Sequence, residues 1–157
     1  MTLSHIDTEN SPTMVNVGGK KVTHRIARAQ AIIDLPKEIL DTIEGNELQS
    51  LKGPVFQTAI IAGTMAAKKT AEWIPFCHPI GLDHCKIDIS INEKQKIIVR
   101  CSCEVEHKTG VEMEALTGAT VAALTIYDMC KGLSHDIIIE RIELLEKGGG
   151  KSDYQKP

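Results

Sequence analysis

An α+β fold built on one antiparallel sheet is the architecture that this sequence predicts. Two patterns indicate it: stretches in which apolar and polar residues alternate, as in half-buried strands, and two longer segments of small apolar residues, as in closely packed helices. Their order is strand, helix, strand, strand, helix, strand. That order is the ferredoxin-like (βαββαβ) pattern with both helices on one sheet face, here with additions at the N-terminus. The other sheet face lacks a cover, which predicts an oligomer.

The length and composition of the chain fit a single domain. Its 157 residues are 42% hydrophobic and 25% charged, which are ordinary values for a globular protein. A domain of this length buries about 70% of the surface that its unfolded chain exposes. We therefore expect one domain over residues 1–157, with flexible ends at 1–12 and 148–157.

Charge, aromatic content and cysteine usage exclude several classes of partner. The formal net charge is -3 and aromatic residues make up 3%, which argues against nucleic-acid binding. The first residues are polar, and no apolar run is long enough to span a bilayer, so we expect no membrane partner. Five scattered cysteines, an odd number, indicate reduced thiols and a cytoplasmic protein.

The first half of the chain predicts two strands and two helices. The segment TMVNVGGK indicates a short strand that ends in a Gly-Gly turn. A longer strand follows at 22–35, with alternate residues on one face: Ala27, Ala29, Ala31 and Ile33. The segment LPKEILDTIEG predicts a short helix with Gly45 as its stop. The segment KGPVFQTAIIAGTMAAKKTAEW predicts a longer helix with Pro54 at its first position.

The second half predicts a hairpin, a long helix and a last strand. One face of the first hairpin strand carries Ile87, Ile89 and Ile91, and one face of the second carries Ile97, Val99, Cys101, Cys103 and Val105. The segment NEKQK suits the turn between them. The helix opens at Thr109–Gly110, and DIIIERIELLEK predicts the last strand.

The long helix, which contains EALTGATVAALTIYDMCKGL, ends in an unexpected pair of charges. It carries no charge from Ala115 to Tyr127, yet Asp128 and Lys131 precede its stop at Gly132. These two residues are three apart and are therefore neighbours on the helix surface. Such a pair is often a solvated ion pair. An Asp at a helix C-terminus opposes the helix dipole, however, so Asp128 is the better functional candidate.

The segment IPFCHP is a second candidate site. Its two prolines restrict the backbone around Phe76, Cys77 and His78, and so shape the loop in advance. A rigid loop is a common way to place an acid–base histidine, although a tight turn with an incidental histidine is equally supported. A partner base here would lower the pKa of Cys77.

Charged residues elsewhere add weaker candidates. Lys52 precedes a helix N-terminus, where anions are favoured, although it is also an ordinary position for a surface lysine. Strand alternation places Arg25 on the alanine face and Arg28 on the opposite face. Glu112 and Glu114 lie in the first turn of the long helix, where dipole complementarity alone explains them adequately.

The cysteines and histidines do not predict a metal site. Cys101 and Cys103 lie on the apolar face of their strand, where free cysteine behaves as a small hydrophobic residue. The sequence contains no CxxC pair, and the spacings match no common zinc module.

Three segments together resemble one family. The segments KGPVFQTAIIAGTMAAKKT, IPFCHP and KTGVEMEALTGATVAALTIYDMCK closely resemble the cyclic pyranopterin monophosphate synthases, the C protein of molybdenum cofactor biosynthesis. The resemblance runs from Met14 to Lys151. Two departures stand out: Phe76 replaces the usual Leu, and the tail KGGGKSDY replaces Ser-Gly-Gly-Lys-Ser-Gly.

The resemblance implies a catalytic domain with a ferredoxin-like fold. Such a lyase converts the small molecule 3′,8-cyclo-7,8-dihydroguanosine 5′-triphosphate into cyclic pyranopterin monophosphate and pyrophosphate. It is a homohexamer, a trimer of dimers, with active sites at subunit interfaces. The resemblance implies no firm cofactor and leaves open whether Mg²⁺ accompanies the triphosphate. The residues that match catalytic positions are Asp128, Lys131, Lys52 and His78. Those that match substrate-binding positions are Phe76, Cys77, His78, Met113, Glu114, Glu112, Arg25 and Lys20.

Two other functions remain open at this point. A pterin- or nucleotide-binding regulator would keep the anion-binding Lys52 and Arg25 but would not need Asp128. A zinc-stabilised interaction domain would contain stoichiometric zinc after purification.

Overall fold

The protein is a mixed α and β structure of eight strands and four helices over the part of the chain that is described. The computed structural model describes residues 6–7 and 9–157, so the predicted flexible lead-in at 1–12 falls partly outside the described residues. In chain order the elements are β1 (Thr23–Asp34), α1 (Lys37–Leu40), β2 (Ile43–Glu44), β3 (Glu47–Ser50), β4 (Gly53–Pro54), α2 (Val55–Ala67), α3 (Thr70–Trp73), β5 (His84–Ile91), β6 (Ile97–His107), α4 (Glu112–Cys130), β7 (Ile138–Gly148) and β8 (Tyr154–Gln155).

A five-stranded sheet forms the centre of the molecule. Its strand order is β5-β6-β1-β7-β8, and each neighbouring pair is antiparallel. A separate three-stranded sheet contains β2, β3 and β4. The α+β architecture with an antiparallel sheet, which the alternation predicts, is therefore confirmed. None of the helices in the described ranges is long and apolar enough to cross a membrane.

The core lies between one face of the large sheet and the pair α2 and α4. The alternating residues of β1 and β6 are buried on that face as predicted: Ala27, Ala29, Ala31, Ile33, Ile97, Val99, Cys101, Cys103 and Val105. Alanine at three positions of the central strand β1 places only small side chains on this face, so that the helices can pack close to the sheet. The two helices also approach each other closely, because Gly63 of α2 faces the carbonyl oxygen of Gly118 of α4.

The opposite face of the sheet is more polar. The Arg28 guanidinium lies 2.8 Å from a Glu146 carboxylate oxygen, and the Gln30 amide donates to Glu143 at 2.7 Å. Arg25, three residues before Arg28, instead approaches the carbonyl oxygen of His107. The predicted separation of the two arginines onto opposite faces is confirmed.

Two of the predicted elements in the first half are wrong in extent or type. The segment at 13–20 is not a strand; it is irregular as far as a turn at Gly18–Gly19, closed by the Lys20 amide donating to the Val17 carbonyl. The short helix ends at Leu40 rather than at Gly45. Gly45 instead has a φ of 61° and joins β2 to β3, because a tight hairpin there needs a left-handed residue.

The longer helix is divided into α2 and α3. The Lys69 amide bonds to the carbonyl three residues back, at Ala66, and the Thr70 hydroxyl caps the Ala67 carbonyl at 2.9 Å. These bonds tighten the last turn and end the helix although the sequence contains no Gly or Pro there.

The C-terminal segment 148–157 contains a strand that the sequence does not predict. This strand, β8, pairs with Glu146 and Lys147 of β7.

The close approach of α2 and α4 generates a stability prediction. A Cβ added at Gly63 would lie 2.6 Å from the Gly118 carbonyl oxygen and 2.5 Å from Ile87 Cδ1. We expect Gly63→Ala to lower the free energy of unfolding by about 1–3 kcal/mol, because the backbone contact cannot relax without moving a helix. Urea denaturation at matched protein concentration measures this. Gly81→Ala is the control, since a Cβ there meets nothing within 4 Å. Equal stability of the Gly63 variant and the wild type would contradict the packing.

Candidate functional site

A cavity of about 420 Å³ lies at the N-terminal end of α4. Its walls come from three parts of the chain: the irregular segment before β1, the proline-bounded loop after α3, and the first turn of α4. Seven predicted site residues line it together: Lys20, Phe76, Cys77, His78, Glu112, Met113 and Glu114. The predicted loop and the predicted helix start are thus brought to one place.

His78 connects the loop to the irregular N-terminal segment. Its Nε2 lies 2.8 Å from the carbonyl oxygen of Val15. A carbonyl only accepts hydrogen bonds, so Nε2 carries the hydrogen, and in the neutral ring Nδ1 is the acceptor. The Lys108 ammonium donates to the Gly18 carbonyl at 2.7 Å and fixes the far end of the segment. The segment therefore serves as a cavity wall, a role that its local sequence does not signal.

Glu114 is the buried acid of the cavity. It is only 3% exposed. Burial, reinforced by the nearby Glu112, raises the pKa of Glu114 to about 7. Dipole complementarity, which suffices for a solvated glutamate, does not account for this burial.

The prediction that a partner base lowers the pKa of Cys77 is wrong. Burial and the charge of Glu114 raise the pKa of this thiol.

A smaller cavity of about 80 Å³ adjoins the first and adds cationic groups. The two cavities share Gly110 and Glu112, and Arg25 lines the smaller one. Lys147 also lines it and lies 3.1 Å from a Glu112 carboxylate oxygen. Sequence reasoning missed Lys147, and its place at the end of the last strand gives no signal of a site.

A Lys–Asp–Lys trio lies at the other end of α4. The Lys52 ammonium lies 2.8 Å from one oxygen of Asp128, and the Lys131 ammonium lies 2.7 Å from the other. Lys52 also donates to the backbone carbonyl of Asp128 at 2.9 Å. Hydrogen bonds from Lys131 and then from Lys52 lower the pKa of Asp128 to about 2, and the bond to Asp128 raises the pKa of Lys131. The three side chains are each about half exposed, at 51%, 54% and 49%.

The environment of Lys52 differs from the predicted one. The backbone amides of Phe56 and Gln57 at the start of α2 donate to the carboxylate of Glu47, at 2.7 Å and 3.0 Å. An anion of the protein therefore already occupies the helix N-terminus that the sequence predicts as an anion site. Lys52 turns away to the C-terminal end of α4, where it offsets the negative end of that helix dipole.

The predicted site residues therefore form two groups within one chain. Glu114 and Asp128 are fourteen residues apart on the same helix, which is about 21 Å at about 1.5 Å per residue. The two groups therefore lie at opposite ends of α4 within one subunit.

Three cysteines form a further group, away from both ends of α4. Cys85 of β5 lies opposite Cys103 of β6, and Cys101 is two residues from Cys103 on the same face. The three sulfur atoms lie within 4.8 Å of one another. The sequence indicates the burial of Cys101 and Cys103 but not the approach of Cys85, because that approach depends on the strand register.

Comparison with known proteins identifies the family. The model of the MoaC family matches residues 14–150, most of the chain. The chain belongs to the MoaC family. The resemblance that the three sequence segments indicate is confirmed, with nearly the same boundaries.

Several relatives of this MoaC protein are similar over almost all of it. A Xanthomonas oryzae protein named cyclic pyranopterin monophosphate synthase is 50% identical over 96% of this chain and 92% of its own length. A Synechocystis protein named molybdenum cofactor biosynthesis bifunctional protein is 52% identical over 98% of this chain. The chain spans 45% of the length of that bifunctional relative. A Dictyostelium discoideum protein named molybdenum cofactor biosynthesis protein 1 is 47% identical, and the match spans 26% of its length.

The buried Glu114 generates a prediction on pH. The pKa of about 7 exceeds the ordinary glutamate value of 4.5, so the folded state binds this proton more tightly than the unfolded state. Its contribution to stability is therefore present below pH 4.5 and is lost as the pH rises to about 7. We expect Glu114→Gln to remove this loss, which is of the order of 3 kcal/mol at 1.36 kcal/mol per pKa unit.

The measurement compares free energies of unfolding at about pH 5 and about pH 8 in wild type and variant. Glu112→Gln is the matched control: it removes the neighbouring charge, together with its ion pair to Lys147, and should keep most of the pH dependence, since burial is the larger cause. The same pH dependence in wild type and Glu114→Gln would show that Glu114 titrates normally.

Proposed function

We propose that this MoaC protein is a cyclic pyranopterin monophosphate synthase, a phosphorus–oxygen lyase of molybdenum cofactor biosynthesis. It converts 3′,8-cyclo-7,8-dihydroguanosine 5′-triphosphate into cyclic pyranopterin monophosphate and pyrophosphate. The observation that carries the proposal is the 50% identity to a protein of that name over 92% of its length. The proposal places the protein in the cytoplasm, in keeping with its reduced cysteines.

The proposal extends to the fold type. The four long strands occur in the order β5-β6-β1-β7, with α2 between β1 and β5 and α4 between β6 and β7. This arrangement supports a ferredoxin-like βαββαβ assignment, in which β8 and the small sheet are additions.

The cationic groups suit a triphosphate substrate. The Lys–Asp–Lys trio carries a net charge of +1, and its half-exposed ammonium groups can turn to a phosphate. Departure of pyrophosphate requires that developing negative charge be neutralised, which fixed ammonium groups provide. We assign Lys52 and Lys131 to this task. Lys20 and Arg25 add positive charge beside the cavity at the other end.

The cavity residues suit proton transfer. Rebuilding the ring system of the substrate moves several protons, and a group works best in this role when its pKa is near the working pH. Glu114, with a pKa of about 7, meets this condition. His78 offers Nδ1 as an acceptor. Asp128 stays ionised at neutral pH, so we assign it to orienting the two lysines rather than to proton transfer.

The proposed active site lies between subunits of a homohexamer built as a trimer of dimers. The roughly 21 Å between Glu114 and Asp128 supports this, because a second chain can place its trio next to the cavity of the first. Large hydrophobic side chains exposed along α2 and α4 are consistent with such an interface: Ile61, Met65 and Leu124.

A direct turnover assay tests the function. Purified protein is incubated with the cyclic triphosphate, and release of pyrophosphate is followed together with formation of the cyclic monophosphate. Turnover of both products in equal amounts is the expected result. Tight binding without turnover would replace the proposal with a regulator that binds the nucleotide.

The trio generates a prediction on activity. We expect Lys52→Ala and Lys131→Ala each to lower the turnover rate by at least about 100-fold, because each removes a charge needed for pyrophosphate departure. The folds should persist, since both side chains are half exposed. Lys37→Ala is the control, because Lys37 forms a more exposed ion pair with Asp41 and belongs to neither group of site residues. Near-normal rates in either trio variant would remove that lysine from the mechanism.

The separation of the two groups generates a prediction on assembly. A 1:1 mixture of Asp128→Asn and Glu114→Gln chains should recover activity, because random exchange leaves about one quarter of all interface sites with two intact halves. A mixture of Asp128→Asn and Lys131→Ala chains should not recover, because both changes damage the same half. Subunit exchange is verified by mass spectrometry before the rates are measured. No recovery in verified mixed oligomers would contradict a shared site.

A further inference from the structure

Three thiols from adjacent strands meet on the helix-covered face of the large sheet. The Cys101 and Cys103 sulfurs are 3.9 Å apart, and the Cys103 and Cys85 sulfurs are 3.9 Å apart. All three lie within 4.8 Å of one another. The arrangement depends on rigid elements, since Cys85 lies directly opposite Cys103 in the β5–β6 register.

These distances are those of sulfur atoms that share one metal ion. Three sulfurs placed around an ion at a metal–sulfur distance of about 2.3 Å lie about 4 Å apart. The two observed separations of 3.9 Å match this value. The third pair, within 4.8 Å, needs only a small rotation of the partly exposed Cys85.

The number of donors selects the kind of ion. Within the described ranges the cluster holds three potential ligands and no fourth His, Cys, Asp or Glu. Zinc in structural sites is almost always four-coordinate. Soft thiolates alone, without nitrogen or oxygen donors, favour Cu(I). The donor set therefore fits a three-coordinate monovalent soft ion better than zinc.

The surroundings leave room for the sulfurs and give access to them. A Cβ at Gly118 of α4 would lie 2.6 Å from the Cys101 sulfur, so only glycine allows the helix to pass over this thiol. Cys85 is partly exposed on the edge strand β5, which provides an entry path and lets water reach one end of the site.

We propose that Cys85, Cys101 and Cys103 form a binding site for one Cu(I) ion, separate from the proposed active site. Each thiol gives up its proton to solvent as its sulfur binds the metal, and copper keeps its oxidation state, so the step needs no oxidant or reductant. The competing explanation is that the three thiols only fill the core as small hydrophobic groups.

A titration with Cu(I) distinguishes the two. The full chain, reduced with a phosphine under argon, is titrated with Cu(I) in the presence of a chromophoric Cu(I) chelator. We expect one copper per chain to be retained against the chelator. X-ray absorption at the copper edge should show a first coordination shell of sulfur only, at a copper–sulfur distance of about 2.3 Å.

Variants assign the ligands. Cys85→Ala changes the partly exposed member and should fold, and Cys103→Ala removes the central sulfur. Each should weaken Cu(I) binding by at least about tenfold. Cys130→Ala is the matched control, because Cys130 is as buried as Cys103 but belongs to α4, outside the cluster. Circular dichroism melts establish folding, and the Cys85 variant alone suffices if Cys103→Ala does not fold.

Several results would overturn the proposal. Loss of all copper from the wild type to the chelator would leave the thiols as core residues only. Equal binding by wild type and folded Cys85→Ala would place the copper elsewhere. A shell containing nitrogen or oxygen, or retention of Zn(II) in preference to Cu(I), would exclude a three-thiolate copper site.

Discussion

The close packing of α4 on the alanine face of β1 is the constraint on which the rest of the structure depends. Ala27, Ala29 and Ala31 are fully buried, and Gly63 lets α2 approach the backbone of α4 at Gly118 closely. Larger residues at these positions would lift the helices from the sheet. The direction of α4 is thereby fixed, and with it the location of the two groups of polar residues at its ends.

The two ends of α4 have opposite electrostatic character. At the N-terminal end, burial keeps Glu114 partly protonated near neutral pH. At the C-terminal end, two lysines keep Asp128 ionised. One helix thus presents a proton-exchanging group at one end and fixed charge at the other. A reaction that needs both proton transfer and phosphate binding would use both ends, which the rigid helix holds about 21 Å apart within one subunit. The proposed assembly follows from this rigidity.

The sequence predicts features that depend on local periodicity and misses those that depend on distant contacts. The buried faces of β1 and β6 follow from alternation alone, and Asp128 and Lys131 are paired by their spacing of three. The contact of Lys52 with Asp128 spans 76 residues, and that of His78 with Val15 spans 63. No local pattern encodes either contact. The sequence also misses the contact of Glu47 with the start of α2. Glu47 lies in the small sheet, and its carboxylate accepts hydrogen bonds from the two backbone amides that the sequence predicts to be available to a bound anion.

The charge of the trio connects the geometry to the proposed substrate. One carboxylate shared by two ammonium groups leaves one positive charge without a partner from this trio. In a single chain, water solvates this excess, because each side chain is about half exposed. Assembly as proposed would remove part of that water, and an unpaired charge in a partly dry interface is unfavourable. A bound anion would neutralise this excess positive charge. A triphosphate bound between subunits supplies several negative charges at this place, so substrate binding and assembly would each favour the other.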